Sequence, residues 1–321
     1  MAAVDTSWRV LVIGCGSAGR RWIELCRELG LSVQAYDTDP VARKAAAELG
    51  ATPVRDIAQG LRDRGSGTYQ SDDRGQPHGV IIATWPTSHI ELALRAVRAS
   101  CHVLIEKPLS NNLDGVDDLI RESAARPQLA VGVVCNLRYH PTTTALRKAL
   151  ADTSRGKTVS LRLECGSDLR TWRQTPYTDS YGPYRERGGG VALDAIHELD
   201  LACHLLGPAE QSAGIADRTG ELEGDAEDVA LFAIRHQRGR SQIHLDYVQK
   251  TYSREAVVVG AGGRSRLVYD QNPALWRQSY LANLKAWIAA VSGAPMPNPV
   301  SEAAQTLRIV LGVTGQPQRA A

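Results

Sequence analysis

Val10-Leu11-Val12-Ile13-Gly14-Cys15-Gly16-Ser17-Ala18-Gly19 runs four apolar residues straight into a G-x-G-x-x-G, and an amphipathic stretch from about Ser17 to Leu29 follows. The short apolar run reads as a buried strand, and the glycines mark its turn into a helix. In such a turn the first glycine permits the tight bend and the second lets the backbone approach a pyrophosphate. The third allows helix and strand to pack closely, while the helix N–H groups face the anion. Gly14, Gly16, Ser17, Ala18 and Gly19 are therefore expected to cradle a dinucleotide. Asp37 closes the next apolar run, Ser32–Tyr36, 18 residues after Gly19. From there a carboxylate accepts hydrogen bonds from the adenosine ribose, which favours NAD over NADP because a 2′-phosphate would meet Asp37 and nearby Asp39. Arg43 on the following helix softens that discrimination, and the alternative for Asp37 is a helix cap or turn residue.

Working outward, the same rhythm continues through a helix at Val41–Leu49, strands at Gly79–Ala83, Val103–Ile105 and Leu129–Cys135, and helices at Ser88–Ala99 and Leu113–Ala125. Alternating strands and helices build a doubly wound parallel sheet. Arg62–His78, polar and Gly-containing, reads as a mobile surface loop. Beyond Arg138 the pattern changes. A helix at Thr142–Ala151 precedes Thr158–Cys165, whose alternation gives a strand one wet face. Ala226–Arg235, Ser241–Gln249, Arg254–Gly260 and Ser265–Tyr269 are also strand-like, with Gly239 and Gly262-Gly263 supplying turns, and helices at Leu275–Ser292 and Ser301–Thr314 end the chain. The expectation is an α/β chain with a Rossmann domain over 1–137 and an α+β domain with a mainly antiparallel sheet over 138–321.

Its 321 residues are enough for two cores, and 43% hydrophobic with 22% charged residues is ordinary globular composition. A net charge of +2, from 37 basic and 35 acidic side chains, argues against nucleic acid or an anionic membrane as partner. Cysteines at 15, 26, 101, 135, 165 and 203 show no metal or disulfide spacing and fit free thiols in a reducing cytoplasm. Met1–Trp8 carries Asp5 and lacks the basic and apolar regions of a signal peptide, and no apolar run approaches the ~20 residues that span a bilayer.

Glu106-Lys107-Pro108 follows the strand Val103–Ile105, at a sheet edge where ligands of open α/β sheets bind. Together with Ala83-Thr84-Trp85-Pro86-Thr87-Ser88-His89 and with Gly188-Gly189-Gly190 ahead of Asp194 and His197, it resembles the glucose-fructose oxidoreductase and inositol dehydrogenase family, Gfo/Idh/MocA, over nearly the whole chain. The resemblance implies a second domain with an open-faced sheet and a homodimer or homotetramer built through such sheets. It also implies hydride exchange between NAD and a secondary alcohol or ketone of a sugar, sugar phosphate, nucleotide sugar or cyclitol. Thr84, His89, Glu106 and Lys107 are then expected at the cofactor, with His89 alternatively capping its helix.

Lys107 matches the family lysine that hydrogen-bonds the reacting oxygen, where a cationic donor stabilises alkoxide character. Asp194 and His197 match the aspartate and histidine of the second domain, His197 being the acid/base and Asp194 orienting it, holding substrate or capping a helix. Three apart, they are expected to share one helix face, whereas the common family spacing is four. Between Leu169 and Arg187, Arg170, Trp172, Arg173, Tyr177, Tyr181, Tyr184, Arg185 and Arg187 form a polar-ligand grip. Trp172 and Tyr184 would stack on substrate and Arg173 and Arg185 would meet phosphate or carboxylate; packing on the sheet or an oligomer contact is the alternative. His140, His204, His236 and His244 lack metal-ligand spacing, so no metal is expected. An NAD-retaining epimerase or lyase, or an NAD and sugar sensor, are the competing readings.

Overall fold

The computed structural model describes residues 8–62, 79–152, 154, 156 and 158–315. Residues 1–7 and 63–78, which carry most of the opening segment and of the expected surface loop, lie outside the described residues. The chain divides into two compact units. One comprises residues up to Ser110 with Asp114–Val134 and Asn283–Ser301; the other holds Asn111–Leu113, Cys135–Ala282 and the chain from Glu302.

The first unit contains β1 (Arg9–Ile13), α1 (Ser17–Glu28), β2 (Ser32–Tyr36), α2 (Pro40–Glu48), β3 (Thr52–Pro53), α3 (Ile57–Arg62), β4 (Gly79–Ile82), α4 (His89–Arg98), β5 (His102–Ile105), α5 (Val116–Ala124) and β6 (Val131–Val133). Its parallel sheet has the order β3-β2-β1-β4-β5-β6. The order reverses between β1 and β4, which is where open sheets of this kind leave a crevice at their carboxyl ends. Val10–Ile13, Gly79–Ile82 and His102–Ile105 are buried throughout, because a sheet covered by helices has no wet face and its strands read as unbroken apolar runs. α1 buries Trp22, Ile23, Leu25 and Cys26, and α4 buries Ile90, Ala93, Ala96 and Val97, the three-and-four spacing of helices lying on a core.

Asn283–Ser301 belongs to this first unit, so the second is not simply the remainder of the chain after 137. Trp287 is fully buried, packs 5.3 Å from the Trp8 ring and donates to the Ala130 carbonyl at 3.3 Å. Val133 N–H donates to Asn298 O at 2.9 Å, and Gly132 has no room for a Cβ, which would lie 2.4 Å from that same carbonyl oxygen.

The second unit contains α6 (Pro141–Ala151), β7 (Thr158–Gly166), α7 (Val191–Asp194), α8 (His197–Leu206), β8 (Ala209–Asp217), β9 (Val229–His236), β10 (Gly239–Asp246), β11 (Ser253–Gly260), β12 (Gly263–Val268), the first part of α9 (Pro273–Val291) and most of α10 (Val300–Thr314). The sheet order is β12-β11-β7-β10-β9-β8, antiparallel except for the β7–β10 pair. Alternation sets its faces. Leu161, Leu163, Ala230, Phe232, Ile234, Ile243 and Leu245 are buried, while Arg162, Leu231, Gln242 and His244 on the opposite face are exposed. The edge strand β8 was not anticipated from the sequence. Among the described residues no helix is long and apolar enough to cross a membrane.

Candidate active site

In the first unit the strand ladders continue just past the strand ends. Gly14 N–H donates to Tyr36 O at 2.8 Å, Ala83 N–H to Ile13 O at 2.7 Å and Glu106 N–H to Ile82 O at 2.8 Å. Gly14, Asp37, Thr84, Glu106 and Lys107 are thereby set along one carboxyl edge. Gly14 has φ +90°, and a Cβ on it would lie 2.6 Å from Ala83 O. A Cβ on Gly19 would lie 1.8 Å from Gly14 O, so loop and helix can approach only without side chains. Gly16 differs: its φ of −66° suits any residue, and nothing lies within 4 Å of where its Cβ would be. It is exposed at the N-terminus of α1, where no side chain caps the helix. The first-turn N–H groups and the bare Gly16 backbone thus form a cradle that suits a pyrophosphate.

Half-buried Asp37 secures this cradle. Its Oδ2 accepts from Cys15 N–H at 2.6 Å and its Oδ1 from Asp39 N–H at 2.9 Å, while Asp39, not Asp37, caps α2. Arg43 donates to the carbonyls of Asp37 and Thr38, bringing a cation beside the ribose-binding position. Burial, reinforced by Asp37, pushes the Cys15 thiol up to about 12, so it stays protonated within the loop. The residues present fit a bound NAD.

Glu106 is 5% exposed and braced on α1 by Trp22 Nε1 at 2.8 Å and Arg21 at 3.4 Å, while its other oxygen accepts from Lys107 N–H at 3.1 Å. It fixes the backbone that presents half-buried Lys107, whose peptide bond to Pro108 is cis. Thr84 accepts from Ser88 Oγ at 2.8 Å, and Trp85 beside it is 47% exposed. His89 is fully buried, with Nδ1 2.8 Å from Pro108 O and Nε2 3.1 Å from Thr84 O, so its ring sits between the two strand-end segments rather than capping its helix. Burial lowers its pKa, and the neutral ring donates to one of these two carbonyls at a time.

In the second unit, a Cβ on Gly189 would lie 2.3 Å from the carbonyl oxygens of both Tyr181 and Gly182, and Gly190 takes φ +119°. This crowded turn leads into α7 and Asp194. The expectation of one shared helix face fails here: α7 ends at Asp194, Ala195 departs to φ −96° and ψ 29°, and α8 begins at His197. Each side of the break has its own anchors. Asp194, 6% exposed, accepts from Tyr181 Oη at 2.8 Å and from Tyr247 Oη at 2.9 Å. Burial, then the charge of Asp194, raises the Tyr247 pKa well above normal, so this phenol remains a donor.

On the other side, Glu198 accepts from Arg254 at 2.7 and 3.1 Å, and Asp200 accepts from Arg138 at 2.8 and 2.5 Å, all four side chains lying in the interior. These pairs fix the first turn of α8, whose leading residue is His197, 6% exposed. Neither they nor Tyr247 were picked out from the sequence, because their partners lie 53 to 62 residues away.

The Leu169–Arg187 segment separates into groups with different uses. Arg185 donates to Asp225 O at 2.9 Å and Thr314 O at 3.3 Å, and Arg187 donates to Thr178 O and Ser180 O while lying 4.3 Å from the Tyr184 ring centroid. Arg170 pairs with Asp168 at 2.8 and 3.0 Å. Arg185 is thus braced on backbone carbonyls while still partly exposed, and Tyr184 has Arg187 on its ring. Trp172, 44% exposed, is pinned by Ser167 Oγ at 2.9 Å and meets Tyr247 edge-on at 5.4 Å. Exposed Arg173 makes no hydrogen bond or ion pair among the described residues. Trp172, Arg173, Tyr177, Tyr181 and Asp194 line one small pocket.

Residues 8–133 match the model of the oxidoreductase family with an NAD-binding Rossmann fold, and residues 143–266 match the Gfo/Idh/MocA C-terminal domain. The chain is 30% identical over 205 residues to 1,5-anhydro-D-fructose reductase of Ensifer adhaerens, covering 60% of this chain and 58% of that one. It is 27% identical over 319 residues to inositol 2-dehydrogenase 2 of Paenarthrobacter aurescens, covering 90% and 89%. The match spans about half the length of the other leading curated relatives. The WlbA dehydrogenase of Bordetella pertussis, solved with NADH and UDP-GlcNAcA, shares the fold at a TM-score of 0.79 with 19% identity, covering 97% and 95%. With both of the family's domains matched in order, the chain belongs to the NAD-binding Gfo/Idh/MocA oxidoreductase family.

Proposed function

We propose that the chain moves a hydride between NAD and a secondary alcohol or ketone of a sugar, sugar phosphate, nucleotide sugar or cyclitol. The observation that carries this reading is Lys107 on the same carboxyl edge as the open Gly16 cradle, two strands along the sheet. The similarity to an anhydrofructose reductase and an inositol dehydrogenase supports the substrate class. NAD, when bound, supplies the hydride acceptor. Gly16, Ser17 and Ala18 would hold its pyrophosphate by backbone N–H groups, and Asp37 would accept from its ribose.

Lys107 Nζ donates to the reacting oxygen and stabilises it as the C–H bond weakens, and His197 accepts the hydroxyl proton. Asp194, held by the two phenols of Tyr181 and Tyr247, keeps its carboxylate fixed to orient the substrate or His197. Trp172 offers an apolar edge to a sugar ring and Arg173 an exposed cation to an anionic substituent. Exposed Ile215 and Leu231 mark the sheet face through which a homodimer or homotetramer would form.

The test is nicotinamide reduction across sugars, sugar phosphates, nucleotide sugars and inositols, with NAD and NADP, for the parent chain and Lys107→Ala. NAD-preferring turnover that falls at least 100-fold in the variant is expected. NAD that stays bound through purification without net reduction on any compound would instead favour internal redox cycling.

A further inference from the structure

Beneath the triple-glycine turn lies a carboxyl group for which the proposed reaction has no use. Glu227 is fully buried, and its carboxylate oxygens make no well-formed hydrogen bond among the described residues, the backbone N–H groups of Glu227 itself and Ala192 giving only weak support. The nearest cation, Arg185, stands 3.8 Å away and is itself 37% exposed and committed to backbone carbonyls. Its carboxyl rests directly on Gly190, where a Cβ would lie 2.2 Å from Oε1, and its backbone carbonyl accepts from Val191 N–H at 3.1 Å. Gly190 O in turn accepts from Asp194 N–H at 3.0 Å, and the Tyr247 Oη lies 3.4 Å from it. Tyr247 completes the path by donating to Asp194 Oδ2.

A carboxylate shut away from solvent with only weak backbone support is disfavoured against its protonated form. The charged and titratable groups facing it are Arg185 from the turn before Gly188, Asp228 beside it on the approach to β9, and Tyr247 with Asp194 beyond. One cation at long range does not offset that burial, and the acid is pushed up to about 7.

We propose that Glu227 is a positioning residue which stores a proton under the Asp194 turn, and that losing this proton puts a second negative charge behind Asp194 and slows turnover. Such a charge would act through Gly190 and Tyr247, two of the groups that, with Tyr181, fix Asp194. The inference rests on the dehydrogenase reading for its kinetic consequence but not for the proton itself.

Two measurements separate these parts. With ¹³C-labelled glutamate, infrared titration of the parent chain should show a protonated, buried carboxylic acid at pH 6 that fades by pH 8 and is absent in Glu227→Gln. A carboxyl already ionised at pH 5 overturns the proposal, whether or not any substrate is turned over. The pH profile of kcat/KM, with KM for NAD followed separately, should lose one near-neutral ionisation in Glu227→Gln. In Arg185→Met, where the nearest cation among the described residues is gone, that ionisation should move to higher pH. Profiles that superimpose for parent and both variants overturn the coupling to Asp194. Should Glu227→Gln fail to fold, the Arg185→Met shift in the infrared titration decides, and its absence counts against the proposal.

Discussion

Arg254→Met tests whether buried ion pairs hold the turn that presents His197. The Arg254 and Glu198 side chains are 11% and 2% exposed and meet through two hydrogen bonds, and the guanidinium lies 5.3 Å from the Trp276 ring centroid. Removing the cation leaves the Glu198 carboxylate in the interior without it. Breaking a buried pair from one side costs about 3–5 kcal/mol, and the lost stacking adds roughly 0.5–1 kcal/mol. For a unit of this size the loss corresponds to a fall in melting temperature on the order of 10 °C. Thermal unfolding followed by circular dichroism reads it, and NAD affinity, a property of the other unit, should be unchanged. Most of the loss comes from the unpaired charge, so Arg254→Met with Glu198→Gln should regain at least half of it. A single variant within about 1 kcal/mol of the parent, or a double variant no more stable than the single, would refute the reasoning.

Gly16→Ala should leave the stability of the cofactor-free chain within about 0.5 kcal/mol yet weaken NAD binding at least tenfold, read by calorimetry, because the site of its Cβ is empty in the protein. Gly19→Ala should destabilise the fold itself, since its Cβ would lie 1.8 Å from Gly14 O. Arg173→Met should raise substrate KM without altering melting temperature, and Arg185→Met should lower melting temperature at unchanged KM. Glu227 has its pKa raised from 4.5 to about 7 by burial. The native state therefore keeps a proton that the unfolded chain loses in that window, and stability should fall by roughly 3 kcal/mol as pH rises through it and then level off. In urea unfolding, Glu227→Gln should flatten that slope.

The first unit was legible because its information is local. The Val10–Ile13 run, the glycine spacing and Asp37 lie within 28 residues of one another, and parallel strands covered on both faces announce themselves by unbroken apolarity. β8 escaped because Ala209–Asp217 is exposed along most of its length and has Ile215 as its one large apolar residue, leaving no alternation to read. The return of Trp287 to Trp8 and Ala130 escaped for a different reason: a helix with apolar residues all round does not say which core receives it. At the site, residue type located Asp194 and His197 but not the break between them, which follows from the phenols on one side and the Arg254 and Arg138 pairs on the other. Arg173 and Arg185 look alike in the sequence. The carbonyls of Asp225 and Thr314 hold Arg185, whereas Arg173 has no such partner among the described residues.

Hydride transfer is tested most directly by a single turnover with substrate deuterated at the carbinol carbon. A sugar or cyclitol identified by the substrate panel should pass its deuterium to the nicotinamide ring on the parent chain, with a primary isotope effect on the transfer step. The same transfer should be lost in Lys107→Ala while NAD binding persists. Deuterium that stays on the substrate or exchanges with water, despite product formation, would contradict direct transfer and the role assigned to Lys107.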